Sequence, residues 1–231
     1  MKRFFGEKLG DKIIVKDNEF NHMKKVLRMQ EGDEILASVN DEYDYFCIIE
    51  KMNKNDAILN IEEVRLCPAL PKKNIVLFQM LPKKEYLDNI IAKSVELGVS
   101  KIIPFTSEYT MLKDIREERV ATQIMTACKQ CGRSKLVEFE KCIKFEQIID
   151  RLKDFDLVLF AYEKEKELFN PKLLENKQNI AIIIGNEGGF SEKEGEILKK
   201  NATSISLGSR ILRCDTAVVT MLSLVSVLSG N

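Results

Sequence analysis

Two glycine-bearing segments in the last quarter of the chain carry residue types suited to binding a small ligand. They are Gly185-Asn-Glu-Gly-Gly-Phe-Ser191, which directly follows a strongly apolar run, and Leu207-Gly-Ser-Arg-Ile-Leu-Arg213. Glycine lets the backbone adopt left-handed torsions and lets a ligand approach the main chain closely. The first segment could equally be a plain turn between a strand and a helix, and spacing alone leaves both interpretations open.

The spacing excludes two common phosphate-binding loops. A P-loop ends in Gly-Lys-Ser/Thr, which is missing here, and a dinucleotide fingerprint needs three glycines in another spacing early in the fold. A glycine-rich loop that carries a carboxylate but no phosphate cradle suits a ligand with ribose hydroxyls, an amino group and a neutral base. Glu187 could instead accept hydrogen bonds from its own loop amides. Arg210 and Arg213 flank apolar residues in the second segment, which is unusual for arginines that are merely solvated.

The elements that must position these segments form an α/β pattern. Apolar runs predict strands at 74–80, 101–105, 156–161 and 179–184, with helices at 83–97, 116–133 and after the capping box Ser191-Glu-Lys-Glu194. Ligands of such sheets bind beyond the carboxyl ends of the strands, where both segments fall. A final helix at 216–229 is apolar on nearly every face, so the fold or a partner subunit must enclose it, with Asp215 or Ser209 as its cap.

The N-terminal part of the chain predicts a smaller, β-rich domain. Short apolar runs at 12–15, 34–39, 45–49 and 57–61 are separated by turn residues, and one helix at 17–28 interrupts them. This pattern is typical of a small, partly closed barrel. Pro68 and Pro71 mark a linker, so the predicted domains are residues 1–70 and 71–231.

Composition limits the possible functions. The 36 basic residues balance 36 acidic ones, which argues against a general nucleic-acid coat protein but not against a local basic patch. The six cysteines show no disulfide framework, and the close pair Cys128 and Cys131 lacks further metal ligands, because His22 is the sole histidine and lies far away in sequence. This spacing predicts no metal site. No signal peptide or membrane-spanning stretch is recognisable, so we expect a cytoplasmic protein.

Seven segments taken together resemble the RsmE family, the SPOUT-class methyltransferases that modify N3 of one uridine in small-subunit ribosomal RNA. Each segment is weak evidence alone, but their order and spacing are specific. They are Arg3-Phe-Phe5, His22-Met-Lys-Lys-Val-Leu-Arg28 with Gly32-Asp33, Lys93-Ser-Val-Glu-Leu-Gly-Val99 with Ile103-Pro104, Gln130-Cys-Gly-Arg133, the stretch 184–194, the stretch 207–213, and Asp215-Thr-Ala217.

Three positions depart from the family pattern. Asn186 stands where the family usually has proline, Lys129 where it usually has glutamate, and Asp215 where it usually has glutamate. We expect Asn186 to cost some loop rigidity, while Asp215 keeps the charge. Lys129 reverses a charge near the expected RNA-binding surface.

The resemblance implies an N-terminal PUA-like β-barrel and a C-terminal SPOUT-type α/β domain with a trefoil knot around S-adenosylmethionine. It also implies a homodimer that acts on small-subunit ribosomal RNA or the assembled small subunit, with no membrane involved. The residues expected to bind the cofactor are Ala161, Gly185, Glu187, Gly188, Gly189, Leu207, Gly208, Ile211 and Leu212. The residues expected to contact RNA are Arg3, His22, Lys25, Arg28, Gln130 and Arg133.

The implied reaction is attack of uracil N3 on the methyl carbon of the cofactor, with loss of the N3 proton. Arg133 and Arg213 are the candidates for stabilising the developing anion, and Glu187 is the candidate base. His22 could equally be a partly buried helix residue. Two alternatives remain open: a non-catalytic RNA-binding protein on the same fold, and a SPOUT enzyme that methylates a ribose 2′-hydroxyl or another base.

Overall fold

The structure, a computed structural model, describes residues 1–111 and 115–230. The chain separates into two compact units. The first comprises residues 1–70 and 128–136, and the second comprises residues 71–127 and 137–231. From the sequence, residues 128–136 fall in the C-terminal domain, because the helical pattern at 116–133 carries no break. The domain ranges 1–70 and 71–231 stay a prediction.

The first unit is built on a six-stranded sheet that curls into a half-barrel. Its strands are β1 Arg3–Phe5, β2 Glu7–Leu9, β3 Lys12–Lys16, β4 Glu34–Ser38, β5 Tyr43–Met52 and β6 Asp56–Leu66. Their order in the sheet is β1-β4-β5-β6-β3-β2. The pair β1 and β4 is parallel, and all other neighbours are antiparallel. Alternate residues such as Ile13 and Val15 point into one core, as a half-buried strand requires. The four predicted strands are confirmed, and β1 and β2 are additional.

The helix predicted at 17–28 is present but is not one regular helix. An α-helical stretch, α1 (Asp17–Asn21), continues into a single π-helical turn, His22–Val26. In that turn the amide of Leu27 donates to the carbonyl of His22 at 3.0 Å. Phe20 and Met23 from this segment are buried in the core of the half-barrel, and the chain leaves the helix at Arg28 with a φ of 53°.

The second unit contains a seven-stranded, fully parallel sheet flanked by helices. Its strand order is β10-β8-β7-β12-β11-β13, with β9 beside β8. The strands are β7 Asn74–Met80, β8 Lys101–Thr106, β9 Glu138–Phe139, β10 Ile143–Lys144, β11 Leu157–Ala161, β12 Asn179–Ile184 and β13 Thr203–Ile205. The helices are α2 Lys84–Glu96, α3 Glu117–Cys131, α4 Phe145–Arg151, α5 Glu192–Asn201 and α6 Cys214–Leu228. The last four residues of α3, 128–131, belong to the first unit.

The two central strands, β7 and β12, are buried along almost their whole length. Parallel strands covered by helices on both faces read as continuous apolar runs, which is why the sequence predicted them. Since every strand of this sheet runs in the same direction, all the carboxyl ends lie at one edge. The trefoil knot that the resemblance implies stays a prediction.

The last helix, α6, packs against α2 and β12. It begins at Cys214, two residues earlier than a cap at Asp215 allows, and its N-cap is Arg213, so the predicted caps Asp215 and Ser209 are wrong. The carboxylate of Asp215 lies inside the first turn and accepts from the amide of Thr216 at 3.0 Å, where it also faces the positive end of the helix dipole.

Candidate active site

A cavity of about 390 Å³ lies at the carboxyl edge of the parallel sheet in the second unit. Its size is within the range typical of small-molecule sites. Three segments that each follow a strand enclose most of it: 161–163 after β11, 184–190 after β12 and 206–214 after β13. Because these strands are neighbours and parallel, segments far apart in sequence meet here.

The structure brings together the residues that the sequence assigned to the cofactor. All nine line this cavity: Ala161, Gly185, Glu187, Gly188, Gly189, Leu207, Gly208, Ile211 and Leu212. Two of the three catalytic candidates, Glu187 and Arg213, line it as well. The contribution of each residue to binding or catalysis stays a prediction.

Asn186 braces the loop that follows β12. Its side chain is 9% exposed, and its Nδ2 donates to the carbonyls of Leu81 at 3.2 Å and Tyr109 at 3.0 Å. Its Oδ1 accepts from the amide of Gly188 at 2.9 Å. These bonds tie the loop to the segments after β7 and β8, and they oppose the loss of rigidity expected from the absence of proline.

Two glycines of this loop have local reasons to be glycine. A Cβ atom at Gly188 would lie 3.0 Å from the Cβ of Tyr109, which is closer than side-chain contacts normally allow. Gly189 has a φ of +65°, and a Cβ there would lie 3.4 Å from Oε1 of Glu163. The loop is therefore a tightly packed turn as well as a cavity wall, and that it binds a ligand stays a prediction.

The predicted capping box at the start of α5 is confirmed. Oγ of Ser191 accepts from the amide of Glu194 at 3.4 Å, and Oε2 of Glu194 accepts from the amide of Ser191 at 3.0 Å. The other oxygen of Glu194 accepts from the amide of Glu108, in the segment after β8, at 3.2 Å. One carboxylate thus fixes the start of a helix and the position of a neighbouring loop.

Glu187 is exposed at the wall of the cavity, and the backbone orients its carboxylate. The amide of Lys83 donates to its two oxygens at 3.1 and 3.4 Å. The alternative role, accepting from the amides of its own loop, is filled by Asn186. Burial raises the pKa of the neighbouring Cys214 thiol to about 12, and the negative charge of Glu187 adds to this shift. Cys214 is consequently neutral near pH 7 and unsuited to act as a nucleophile.

Arg213 places a positive charge at the rim of the cavity. Its guanidinium lies 4.6 Å from the ring centroid of Tyr86, and its Nε lies 3.9 Å from Oδ1 of Asp215. The side chain is 66% exposed. The aromatic ring and the carboxylate hold this cation in place, while its exposure leaves it accessible to a ligand.

The sequence interpretation missed several residues of the cavity wall. Tyr162 and Glu163 directly follow β11, so the rule that ligands bind beyond strand ends could have found them. Ser206 immediately precedes the predicted second segment. Tyr86 comes from the first turn of α2, and no sequence signal marks it.

Arg133, the third catalytic candidate, belongs to the first unit and is 4% exposed there. Burial lowers the pKa of its guanidinium, and the neighbouring thiols of Cys128, Cys131 and Cys67 act in the opposite direction. The sequence expects this side chain to contact RNA and to stabilise the developing anion. Both roles stay predictions, and the structure presents Arg133 as an internal residue.

The other residues expected to contact RNA differ in exposure. Arg3 is buried, and its guanidinium donates to Asp44 at 2.7 and 3.1 Å and to Ser38 at 2.5 Å. This pairing makes Arg3 an internal ion pair. His22 is half-buried, with its ring centroid 6.1 Å from that of Phe4. Three more are exposed on the first unit: Lys25, Arg28 and Gln130.

Lys129, which reverses a charge of the family pattern, is paired within the first unit. Its Nζ lies 2.7 Å from Oε1 of Glu19 and 5.3 Å from the ring centroid of Phe4. The side chains of the two ion-pair partners are 19% and 14% exposed. Oε2 of Glu19 also accepts from the amide of Phe5 at 2.9 Å. The positive charge is neutralised locally, so it is part of the packing of this unit.

Within residues 1–111 and 115–230, no group of three histidine, cysteine, aspartate or glutamate side chains is arranged to hold a metal ion. Over the same residues, no helix has the length and apolar character needed to cross a bilayer.

Comparison with known proteins identifies the family. Residues 68–226 match the RNA methyltransferase domain, and residues 8–62 match the RNA methyltransferase PUA domain. The ribosomal RNA small subunit methyltransferase E of Bacillus subtilis is 30% identical to this chain, over 98% of the chain and 96% of that protein. The chain belongs to the ribosomal RNA small subunit methyltransferase E family. The Rickettsia conorii member is 29% identical, over 94% of this chain and 90% of that protein.

Solved structures share the fold over nearly the whole chain. A Legionella pneumophila protein described as a methyltransferase, in complex with the cofactor SAM, has a TM-score of 0.87 and 26% identity, covering 98% of this chain and 97% of that one. The ribosomal RNA small subunit methyltransferase E of Neisseria gonorrhoeae has a TM-score of 0.91 at 24% identity, covering 99% and 98%. The predicted family and the fold class, an α/β domain preceded by a PUA-like half-barrel, are confirmed.

Proposed function

We propose that this protein transfers the methyl group of S-adenosylmethionine to N3 of a uridine in small-subunit ribosomal RNA. The observation that carries the proposal is the cavity at the carboxyl ends of β11, β12 and β13, which is lined by all nine residues assigned to the cofactor. Family membership and the SAM bound to the 26% identical Legionella pneumophila protein support it.

The cavity wall fits the chemical groups of this cofactor. Glu163 and Glu187 offer carboxylate oxygens that can accept from ribose hydroxyls and an ammonium group. Ile211 is 88% exposed at the rim, where its apolar side chain offers a surface to a flat ring of the ligand. S-adenosylmethionine, when bound, supplies an electrophilic methyl group on a positively charged sulfur.

The side chains around the cavity provide the remaining chemistry. In this proposal the Glu187 carboxylate takes the proton from uracil N3, and the Lys83 amide keeps that carboxylate oriented. Arg213 stabilises the negative charge that develops on the uracil as the N3–H bond breaks. The N3–carbon bond then forms as the bond from the methyl carbon to sulfur breaks. The exposed guanidinium of Arg213 makes it better placed for this role than the buried Arg133.

A methyl-incorporation assay tests the proposal. Small subunits and free ribosomal RNA from a strain lacking the gene are incubated with the protein and labelled S-adenosylmethionine, and nucleosides are analysed by mass spectrometry. We expect label in 3-methyluridine. Label in a 2′-O-methylated nucleoside or in another base would reassign the enzyme, and cofactor binding without incorporation would point to a non-catalytic RNA-binding protein.

Variants then test the assigned roles. Replacing a general base typically costs about 10²–10⁴ in rate, so Glu187→Gln should lower kcat by that factor. Because Glu187 also lines the cofactor cavity, the variant's affinity for the cofactor should fall as well, but the loss of kcat should persist at saturating S-adenosylmethionine. Arg213→Ala should lower kcat through loss of the positive charge, and Arg213→Lys should recover part of it. Glu196→Gln, an exposed change on α5, is the matched control. If it loses as much activity as Glu187→Gln, the role of base is refuted.

Contact with RNA is assigned to the first unit. Lys25, Arg28 and Gln130 are exposed there, and they are proposed to bind the RNA backbone. Because the chain has no excess positive charge, binding rests on this local group. Lys25→Ala and Arg28→Ala should each weaken RNA binding and reduce its salt dependence without changing cofactor affinity.

The protein is further proposed to act as a homodimer in the cytoplasm, where small ribosomal subunits are its substrate. The end of α6 leaves Val227 72% exposed and Leu228 49% exposed, an apolar surface that a second copy can cover. Light scattering should give twice the chain mass, and Val227→Lys should shift the protein toward monomer. A monomer at all concentrations would refute the dimer and leave the catalytic proposal intact.

A further inference from the structure

A second cavity, of about 570 Å³, lies at the same edge of the parallel sheet as the first. It is formed where β7, β8 and β12 end, whereas the first lies where β12, β11 and β13 end. The segment 186–188, after the shared strand β12, belongs to the walls of both cavities. We refer to this segment as the partition.

Tyr109 presents an aromatic ring in the wall of the second cavity. The residue is 45% exposed, although hydrogen bonds and packing hold its backbone in place. Its carbonyl accepts from Asn186 at 3.0 Å, and its Cβ packs against Gly188. The turn around it is closed by two bonds between Ser107 and Thr110, at 2.8 and 3.1 Å. A rigid backbone that presents an exposed aromatic ring provides a stacking platform at little entropic cost.

Two neighbours of Tyr109 in the wall complement a nucleotide. Lys83 lines this cavity and is exposed, so its ammonium group offers a positive charge to a phosphate. Met111 is 77% exposed and offers a polarisable contact to an aromatic ring. An aromatic platform beside a cation is the combination with which proteins bind unpaired bases of RNA.

We propose that the second cavity receives the target base of the RNA, turned out of its stack and placed against the ring of Tyr109, with Lys83 beside its phosphate. This inference rests on the proposed function. The two cavities adjoin at the partition, so N3 of the base then meets the methyl group of the cofactor at the edge of this segment. Glu187 is the one ionisable residue that lines both cavities in the described part of the chain. Glu187 therefore lies where it can take the proton from N3 of the base.

Photocrosslinking locates the base directly. A fragment of small-subunit RNA that the protein methylates is prepared with 5-iodouridine at the target position and irradiated with the protein and S-adenosylhomocysteine. Mass spectrometry of the digested complex should place the crosslink on Tyr109 or Met111. A crosslink to residues 207–213 or to the first unit would overturn the inference while leaving the methylation activity standing. If no RNA is methylated at all, the proposed function itself fails.

Kinetics of variants give an independent measurement. Stacking contributions of the size seen for single bases correspond to about tenfold or more in affinity, so Tyr109→Ala should raise KM for RNA by that factor. The Kd for S-adenosylmethionine, measured by calorimetry, should stay within about twofold, and Tyr109→Phe should restore KM. Leu168→Ala, which changes another exposed side chain of the same unit, is the control. An unchanged KM in Tyr109→Ala, or a Tyr109→Phe variant that is equally impaired, would refute the stacking role.

Discussion

The hydrogen bonds of Asn186 offer a quantitative test of how the cavity wall is held. Asn186→Ala removes two donors and one acceptor from a side chain that is 9% exposed. The carbonyl of Leu81 lies in a buried residue and loses its partner, whereas Tyr109 and Gly188 are exposed enough for water to replace theirs. The substitution therefore removes one hydrogen bond whose buried partner stays unpaired, and two hydrogen bonds whose partners can bind water instead.

The magnitude follows from the usual contribution of about 1 kcal/mol per hydrogen bond, with about 1–3 kcal/mol when a buried partner is left without one. We expect Asn186→Ala to lower the free energy of unfolding by about 2–4 kcal/mol. For a protein of this size, each kcal/mol shifts Tm by about 2–4 °C, so the transition should move down by roughly 4–16 °C. Affinity for S-adenosylmethionine should fall as well, because the wall loses its fixed shape.

Urea unfolding and thermal melts of matched variants measure these effects. Asn186→Asp keeps the acceptor for Gly188 but places a carboxylate against two carbonyl oxygens, so it should destabilise at least as much as alanine. Asn201→Ala removes an exposed side chain that donates to the carbonyl of Ile197, and it should stay within about 0.5 kcal/mol of the parent. If Asn186→Ala also stays within that margin, the bracing described here is wrong.

Three further predictions concern charge and thiol chemistry. Arg3→Ala should lower the free energy of unfolding by about 3–5 kcal/mol because it leaves Asp44 buried without its cation. Lys12→Ala, which removes an exposed ion pair with Glu50, should have no measurable effect, and equal losses in the two variants would refute the distinction. Lys129→Ala should cost about 1–2 kcal/mol in urea unfolding, against none measurable for Lys153→Ala, whose ion pair is exposed. At pH 8, peptide-level mass spectrometry should find iodoacetamide on the exposed Cys142 long before Cys214. Burial raises the pKa of both thiols, but that of Cys214 rises to about 12, which leaves almost no thiolate, and its side chain is buried; early labelling of Cys214 would contradict this.

The elements that the sequence located best are those with the strongest local signals. The bounds of β7 and β12 agree with their apolar runs, since strands buried on both faces leave no polar interruption. The capping box at Ser191 was found because its two partners are three residues apart. The cavity residues were located by the rule of strand ends together with the family resemblance.

Features that depend on distant partners could not be found in this way. The strands β1 and β2 are three residues each, too short for a periodic pattern, and β2 is fully exposed. The partners of Asn186 lie 105 and 77 residues away in sequence, and Asp44 lies 41 residues from Arg3. A side chain whose role depends on such contacts looks, in the sequence alone, like a free surface residue.

The ion pair between Lys129 and Glu19 limits which pairs of residues relatives can carry at these two positions. Changing Lys129 to glutamate would leave two like charges in contact in a half-buried setting, which is unfavourable. Relatives that carry the more usual glutamate at the position of Lys129 should therefore carry a neutral or basic residue at the position of Glu19. The two positions lie 110 residues apart in sequence and are expected to covary, which an alignment of relatives would test.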